Sequence, residues 1–569
     1  MAGEKFWKKS WDEGITDLDP SRWEITYPEL VRPVFRDFSD RRALTFLGVD
    51  ISFGELDRHA DRFARMLVAR GFGKGDVVGI DLPNIPEYVI AWLGSHRAGC
   101  AVTGVSPLLS PDEMAYQLKD SGARGLVTLD AIFAARLKAI AGDLPGLELV
   151  VTTNVGSFLP FPKRFLGKLL GKIPKGRVTA LAGKTVLDFH EVLRDRAGAG
   201  ETPRVDLAPD DVAYIQYTGG TTGSPKGAVL THRNAVSNVV VVTSWVGWKK
   251  GDAVALSAFP MFHIAGLLFA ECCVSLGWTQ VLIPNPRDTD RICSEMARHR
   301  PKVLANVPSL YQMLLNNPRF RKLDHSRLEV CISGAAPFPE ESQRKLEAAV
   351  RKGILLELYG MSEASPLITM NPRKGVRKLG SVGLPLPNTD IRLKDPATGK
   401  VVARGEPGEI CVKGPQIMTG YHNRPEETAR VMDEEGCMHT GDVAVQDDDG
   451  YLRIVDRTKD MIIVGGFKVF SKTVEDVLAG HPAVDTIAIV GIPNPERPGS
   501  EIVVAVFTLV PGAKAADGGT SVERDLAAFA KERLAPYECP KKFVVRDELP
   551  LTPVGKVDKK ALRLELRAA

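Results

Sequence analysis

The strongest constraint on the fold of this chain is an alternation that runs from about residue 50 to 155 and resumes after residue 210. Helical apolar spacing, as in Phe53 to Arg70, gives way to short β-rich runs such as Val77-Val-Gly-Ile-Asp-Leu and Gly125-Leu-Val-Thr-Leu, and then returns. Strands separated by helices pair in parallel, because a parallel neighbour is reached only through a long crossover. The rhythm reappears through Val254 to Phe259, Gln280 to Ile283 and Leu328 to Ser333. The expected fold class is therefore α/β. From Gly380 to about Val412 short strands and Gly/Pro turns predict a small β-rich subdomain. A break at Asp456-Arg457-Thr458-Lys459-Asp460 precedes a compact α+β pattern. A length of 569 residues exceeds one core, so we expect an N-terminal body over 1–456 and a small C-terminal domain over 457–569, with 457–460 as a charged pivot.

Composition narrows the class. Hydrophobic residues make up 44% and charged residues 25%, as in soluble globular proteins. A net charge of +4, from 74 basic and 70 acidic residues, is too even to make nucleic acid the main partner. The eight cysteines include no Cys-x-x-Cys pair and no nearby Cys/His cluster with zinc-ligand spacing, so they read as reduced, packed thiols. The N-terminal stretch has no apolar signal core and no apolar run approaches about 18 residues, so the expectation is a cytoplasmic protein without a membrane span.

Tyr217-Thr218-Gly219-Gly220-Thr221-Thr222-Gly223-Ser224-Pro225-Lys226-Gly227 collects hydroxyls, glycines and one lysine. Such a loop suits a triphosphate: the glycines admit close backbone approach, the amides and hydroxyls donate to phosphate oxygens, and Lys226 adds a charge. The spacing is not that of a P-loop, and a surface turn can share this composition. Tyr359-Gly360-Met361-Ser362-Glu363 offers a ring for a base, a hydroxyl for a phosphate and a carboxylate for Mg²⁺, or else only a capped helix start. Gly334-Ala335-Ala336-Pro337 has little side-chain bulk, as a purine platform or a plain tight turn would. His263 precedes an apolar helix, where a packed core histidine is the ordinary case. Lys556, in Leu549-Pro-Leu-Thr-Pro-Val-Gly555-Lys556-Val-Asp558, is either a solvated lysine or one that swings into a site.

Taken in order along the chain, these segments resemble the adenylate-forming superfamily of acyl-CoA synthetases, luciferases and peptide-synthetase adenylation domains. Glu435 to Met461, Asn285 to Asp288 and Tyr359 to Pro372 look like bacterial long-chain fatty acyl-CoA synthetases. The resemblance implies an ATP-dependent acid–thiol ligase of fatty acid metabolism that works through an acyl-adenylate. It implies nucleotide contacts from Thr218 to Gly223, an adenine segment Gly334 to Pro337, contacts from Tyr359, Gly360, Ser362 and Arg457, and a ribose carboxylate at Asp442. Mg²⁺ would fall to Glu363 and Thr218. Lys226, Lys556 and His263 would face the reacting groups, and Gly266, Leu267 and Ala270 the acyl pocket. Lys459 matches a hinge, with Gly465, Gly466 and Phe467 lining a CoA channel after rotation. The chain departs from the usual pattern at Ser362, where threonine is common. It also has Leu267 where some long-chain relatives carry a tryptophan gate, and Ile463 and Val464 where some carry a lysine. The alternatives are an acyl-AMP ligase, a CoA ligase for a dicarboxylic or aromatic acid, or a lipid- or nucleotide-binding protein without activity. Fatty acid, ATP and CoA are the expected partners, with a homodimer as the assembly considered.

One segment is separate from that site. On a helix, Phe165, Leu166, Leu169, Leu170 and Ile173 form one apolar arc opposite Arg164, Lys168, Lys172 and Lys175. Phe158 to Arg177 is thus either an interfacial helix on an anionic membrane surface or a docked helix with a solvated basic face.

Overall fold

The computed structural model describes residues 5–171, 173–194, 205–218, 224–251, 253–336, 338–465, 467–497, 500–510, 512–513, 522–551 and 557–568. They fall into two compact units. One comprises residues up to 218 with 225–390 and 413–430, and the other 391–412 and 431–569.

Among the described residues, the first unit carries two large sheets. In one, Val77–Asp81 pairs in parallel with Ala101–Gly104 on one side and Ala123–Leu129 on the other, and Leu149–Thr153 and Thr185–Asp188 continue outward. The antiparallel hairpin Val212–Thr218 and Lys226–Thr231 extends the opposite edge, and Gly420–Tyr421 adds to it. The second sheet has a parallel core of Arg42–Phe46, Thr279–Leu282, Val254–Ser257, Val303–Asn306, Val330–Ser333 and Leu355–Gly360, with antiparallel strands at both ends. Strands such as Val77–Asp81 are buried at every position, as a sheet covered on both faces requires. The helix Phe53–Val68 shows the local logic. Ser52 and Glu55 close a capping box, and Phe53, Leu56, Ala60, Phe63, Ala64 and Leu67 bury one face.

The second unit is α+β. A four-stranded sheet runs in the order Asp390–Lys394, Gly408–Lys413, Met438–Gln446, Leu452–Arg457. The β-rich region therefore extends past Val412, because its two later strands follow an excursion that returns to the first unit. A three-stranded sheet of Val484–Pro493, Glu501–Leu509 and Lys542–Val545 packs with helices Ser471–Leu478, Val522–Arg533 and Lys559–Ala568. Its core includes Ile462, Val474, Leu478, Ile489, Val503 and Phe507.

A polar chain crosses the core of the first unit. Trp92 Nε1 donates to the Tyr214 hydroxyl at 2.7 Å, which donates to Glu271 Oε1 at 2.6 Å. Burial pushes the Glu271 carboxyl up to about 8, because a charge there would be poorly solvated. Folding thus holds a proton that the unfolded chain, with an ordinary glutamate, has already lost. Stability should fall as pH rises from about 5 to about 8, and Glu271→Gln, which keeps an acceptor for Tyr214, should lose less, by on the order of 1–3 kcal/mol. Asp81, also pushed to about 8 by burial, is present in both chains, so their difference isolates Glu271. Denaturant titrations at the two pH values measure it, and parallel curves would contradict the assignment.

Candidate active site

The hairpin that carries the Gly/Thr-rich loop pairs as far as Thr218 opposite Lys226. Gly219, Gly220, Thr221, Thr222 and Gly223 lie outside the described residues. The neck is tied down on both strands. The Tyr217 hydroxyl donates to Asp120 at 2.6 Å, Arg424 donates to the other oxygen of Asp120 at 2.6 Å, and the Tyr116 hydroxyl donates to the Pro225 carbonyl at 2.9 Å. Burial and the nearby Asp120 push the Tyr217 phenol upward, so it stays a donor. Thr218 Oγ1 donates across the neck to the Lys226 carbonyl at 3.4 Å.

Lys226 forms an ion pair with Glu427 and lies 5.1 Å from the Tyr421 ring centroid, within cation–π range. Lys226 beside Glu427 holds that carboxyl below its ordinary range. The hydroxyl of the same Tyr421 donates to Glu363 Oε1 at 2.8 Å. Tyr421 therefore joins two motifs that are far apart in sequence, meeting the lysine with its ring and the carboxylate with its hydroxyl. Glu363 is buried, and its backbone carbonyl accepts from the Met418 amide at 2.8 Å. The turn that presents it demands Gly360, where a Cβ would come within 1.8 Å of the Pro366 carbonyl oxygen. Ser362 is buried in the same short turn, and half-buried Tyr359 lies near the end of the strand before it. Glu363 and Thr218 both offer hard oxygen donors, and that chemistry fits Mg²⁺.

Gly334 leaves the end of Val330–Ser333, and a Cβ there would meet Leu358 at 2.3 Å. Ala335 is exposed and adopts φ +66°, a left-handed conformation that costs a non-glycine residue about 1–2 kcal/mol. Ala336 is half-buried, and Pro337 lies outside the described residues. Just before this turn, Asn306 and Ser333 stand opposite each other at the carboxyl ends of parallel strands. Asn306 Nδ2 and Ser333 Oγ are buried without a hydrogen-bond partner among the described residues. Ligands of open α/β sheets lie beyond such carboxyl ends, so unused polar atoms there suit a bound molecule.

His263 caps the helix Ile264–Ser275, its Nδ1 accepting from the Ala265 amide at 3.3 Å. That bond assigns the proton of the neutral ring to Nε2. Gly266 is required by packing, since a Cβ would fall 2.2 Å from the Pro260 carbonyl oxygen, while Leu267 and Ala270 are buried.

In the second unit, Arg457 Nε donates to Asp442 Oδ1 at 3.0 Å, and the two residues face each other in strand register. Thr458 donates its amide to the Gly441 carbonyl at 2.9 Å, and Asp460 pairs with Arg563 at 2.7 Å, so both sides of Lys459 are anchored within this unit. Gly465 has φ +58° and donates its amide to Ser500 Oγ at 2.9 Å. Phe467 is 59% exposed and stacks on Tyr537 at 4.8 Å between centroids. Gly466 and Lys556 lie outside the described residues.

Sequence reasoning missed Tyr116, Asp120, Tyr421, Arg424 and Glu427. The one signal was the dense run of ring and charged residues from Tyr421 to Glu427 that follows Gly420.

Residues 32–422 match the family model for the AMP-binding enzyme, and 473–556 match that for the AMP-binding enzyme C-terminal domain. The chain is 37% identical over 530 residues to a long-chain-fatty-acid--CoA ligase of Bacillus subtilis, covering 92% of each chain. It is 35% identical over 570 residues to a long-chain-fatty-acid--CoA ligase of Escherichia coli O157:H7, covering 99% of each. A feruloyl-CoA synthase of an Amycolatopsis species is 34% identical over 518 residues, 91% of this chain and 94% of that protein. Among solved structures, ATP-bound MatB from Rhodopseudomonas palustris superposes with a TM-score of 0.80 at 30% identity, covering 95% of this chain and 99% of that one.

Proposed function

The chain belongs to the AMP-binding enzyme family, and from that premise we propose that it is an ATP-dependent fatty acyl-CoA synthetase. The observation that carries this reading is 35% identity along 99% of the chain to a long-chain-fatty-acid--CoA ligase. The chemistry is an activation followed by a transfer. A carboxylate carbon is shielded by resonance and charge, so the carboxylate oxygen first attacks the α-phosphorus of ATP. The bond to the bridging oxygen breaks and diphosphate leaves. The CoA sulfur then attacks the acyl carbon, the C–S bond forms, AMP departs, and the thiol proton passes to solvent.

Lys226 reaches the phosphates from the loop neck, exchanging its pairing with Glu427 for phosphoryl oxygens, while Lys556 closes over the same charge. Glu363 and Thr218 would hold Mg²⁺, which would supply positive charge against the departing diphosphate. Asn306 and Ser333 lie close to the adenine segment at Gly334, and Asp442 accepts from the ribose hydroxyls once its pairing with Arg457 is shared. His263 points Nε2–H toward the reacting carboxylate. A functional partition at 457–460, with Lys459 as the hinge, then brings Gly465 to Phe467 to the thiol channel.

A second reading, a CoA ligase for an aromatic acid, is favoured by the feruloyl-CoA synthase relative. Diphosphate release and thioester formation over straight-chain acids, dicarboxylates and benzoates separate the two. Straight-chain acids of medium to long length should turn over best. Faster turnover of benzoates would transfer the assignment to the second reading, and no diphosphate release with any acid would remove both.

The helix Phe161–Leu169 supports contact with an anionic membrane, where a long-chain acid is concentrated. Phe161, Phe165, Leu166, Leu169 and Leu170 are each more than half exposed, a contiguous apolar row of the kind that marks an interaction surface. The helix is shorter than 158–177, and Ile173 leaves the expected arc. It is buried where Gly156 and Gly167 leave it room, each within 2.6 Å of a would-be Cβ. Lys172 and the side chain of Lys168 lie outside the described residues. No helix among the described residues is long and apolar enough to cross a membrane. The full chain should sediment with anionic vesicles and release them as salt rises, since exposed attraction is screened over ~10 Å at 0.1 M. Phe165→Ser with Leu169→Ser should weaken binding by roughly 10²–10⁴-fold, from ~1.5–3 kcal/mol per side chain. Neutralising Arg164, Lys168, Lys172 and Lys175 should remove the salt dependence, and equal pelleting of all forms would make this a surface helix only.

A further inference from the structure

A second cluster of metal-binding side chains lies in the second unit, on residues to which the proposed chemistry gives no role. Gly408–Lys413 and Met438–Gln446 pair antiparallel with Cys411 directly opposite His439. His439 Nδ1 lies 3.4 Å from Cys411 Sγ and 2.9 Å from Glu409 Oε2, and the three donor atoms are all within 4.8 Å of one another. Cys411 and Glu409 are buried, whereas His439 is partly open to solvent. Behind the ring, His439 Nε2 is 3.8 Å from Asp433 Oδ2. Asp433 is held in turn by Lys394 at 2.7 Å and by the amides of Glu435 and Cys437. The absence of zinc-ligand spacing in the sequence is thus no guide to space. Glu409-x-Cys411 and Cys437-x-His439 are two-residue spacings, which suit strands.

We propose that Glu409 Oε2, Cys411 Sγ and His439 Nδ1 form a three-ligand site for Zn²⁺. Bonds of about 2.3 Å to sulfur and about 2.0 Å to nitrogen and oxygen place neighbouring ligand atoms of a tetrahedral zinc ~3.3–3.6 Å apart. The observed separations of 3.4 and 2.9 Å need only small side-chain shifts to match. A mixed sulfur, nitrogen and oxygen set selects zinc over Mg²⁺ or Ca²⁺, which take oxygen ligands. As the metal–sulfur bond forms, the Cys411 proton leaves to solvent. The His439 proton moves to Nε2, and a small side-chain shift from 3.8 Å lets Asp433 accept a hydrogen bond from it, an arrangement that orients metal-bound histidines. Carboxylates at Glu409 and Asp433 with the new thiolate outweigh the ammonium of Lys394. Water fills the fourth position from the solvent side. The site also touches the nucleotide turn, because Glu409 Oε1 accepts from the Gly441 amide at 2.9 Å, next to Asp442.

The full chain, stripped with a chelator, is titrated with Co²⁺ and then with Zn²⁺. The expected result is one equivalent of cobalt with a thiolate-to-cobalt absorption band in the near ultraviolet, displaced by zinc, and a rise in Tm on zinc binding. Cys411→Ser should remove the band, and both Cys411→Ser and His439→Gln should weaken Zn²⁺ binding at least tenfold. Cys293→Ser, a buried cysteine in the other unit, should change neither. Circular dichroism establishes that each variant is folded, and His439→Gln decides the matter if Cys411→Ser is not. A wild-type chain without the band, a band that survives Cys411→Ser, or Zn²⁺ affinity unchanged in His439→Gln overturns the site. None of these readouts depends on turnover, so the outcome is independent of the ligase reading.

Discussion

Replacing Lys556 with alanine should slow acyl-adenylate formation by roughly 10²–10³, the usual loss for one preorganised donor to a developing charge. Thioester formation from supplied acyl-AMP should stay close to the wild-type rate. The asymmetry follows from the chemistry of the two halves. Negative charge concentrates on the α-phosphoryl oxygens only while carboxylate oxygen and diphosphate exchange places, and a cation there lowers that barrier specifically. In the second half the adenylate is already formed, and attack falls on the acyl carbon. Lys556 is assigned by its motif, which ends the stretch matched by the C-terminal family model at residue 556. Diphosphate release measures the first step, and single-turnover capture of acyl-AMP by CoA measures the second. Equal losses in both would contradict a lysine that serves only the adenylation pose, and with it the rotation about Lys459.

The alternation of strand and helix was legible because it is local. The helix expected over Phe53 to Arg70 ends at Val68, and its capping box and apolar face are both written within one window. What was not legible depends on pairing across long separations. Met438–Gln446 and Leu452–Arg457 complete a sheet begun at Asp390, but before them the chain visits another sheet at Gly420–Tyr421, and no local pattern announces the return. The Gly/Thr-rich loop stands out in the sequence because glycine and threonine advertise backbone approach and hydroxyl donors. Its supports do not, since Lys226 meets Glu427 across 201 positions and Tyr217 meets Asp120 across 97. Ile173 shows the same limit on a smaller scale. Helical spacing placed it with the exposed arc, but glycines at 156 and 167 open a slot that buries it, and a pocket made by missing side chains leaves no periodic trace. Cys411 and His439 meet because strand register sets them opposite each other, a relation absent from either segment alone.

Glu363→Gln should raise the Mg²⁺ concentration needed for half-maximal adenylation at least tenfold and slow the step by roughly 10² at fixed Mg²⁺, losses of the size expected when a positioned charge is removed. Glutamine keeps the shape of the side chain and an oxygen that accepts from Tyr421, so the change removes charge more than packing. A purely structural Glu363 is the competing explanation, since the residue is 5% exposed and its turn depends on close contacts around Gly360. The two accounts separate cleanly. A structural role predicts a lower Tm with unchanged Mg²⁺ dependence, whereas a metal-binding role predicts a shifted Mg²⁺ dependence that excess Mg²⁺ partly restores. Tyr421→Phe sharpens the comparison, because the ring that faces Lys226 remains and only the hydroxyl on Glu363 is lost. With that donor gone the carboxylate keeps its charge, so the Mg²⁺ requirement should move by no more than a few-fold while Tm falls by an amount set by one part-buried hydrogen bond, about 0.5–1.5 kcal/mol. If Glu363→Gln and Tyr421→Phe give the same Mg²⁺ curve as the wild type, the metal is held elsewhere and Tyr421 serves only to brace the turn.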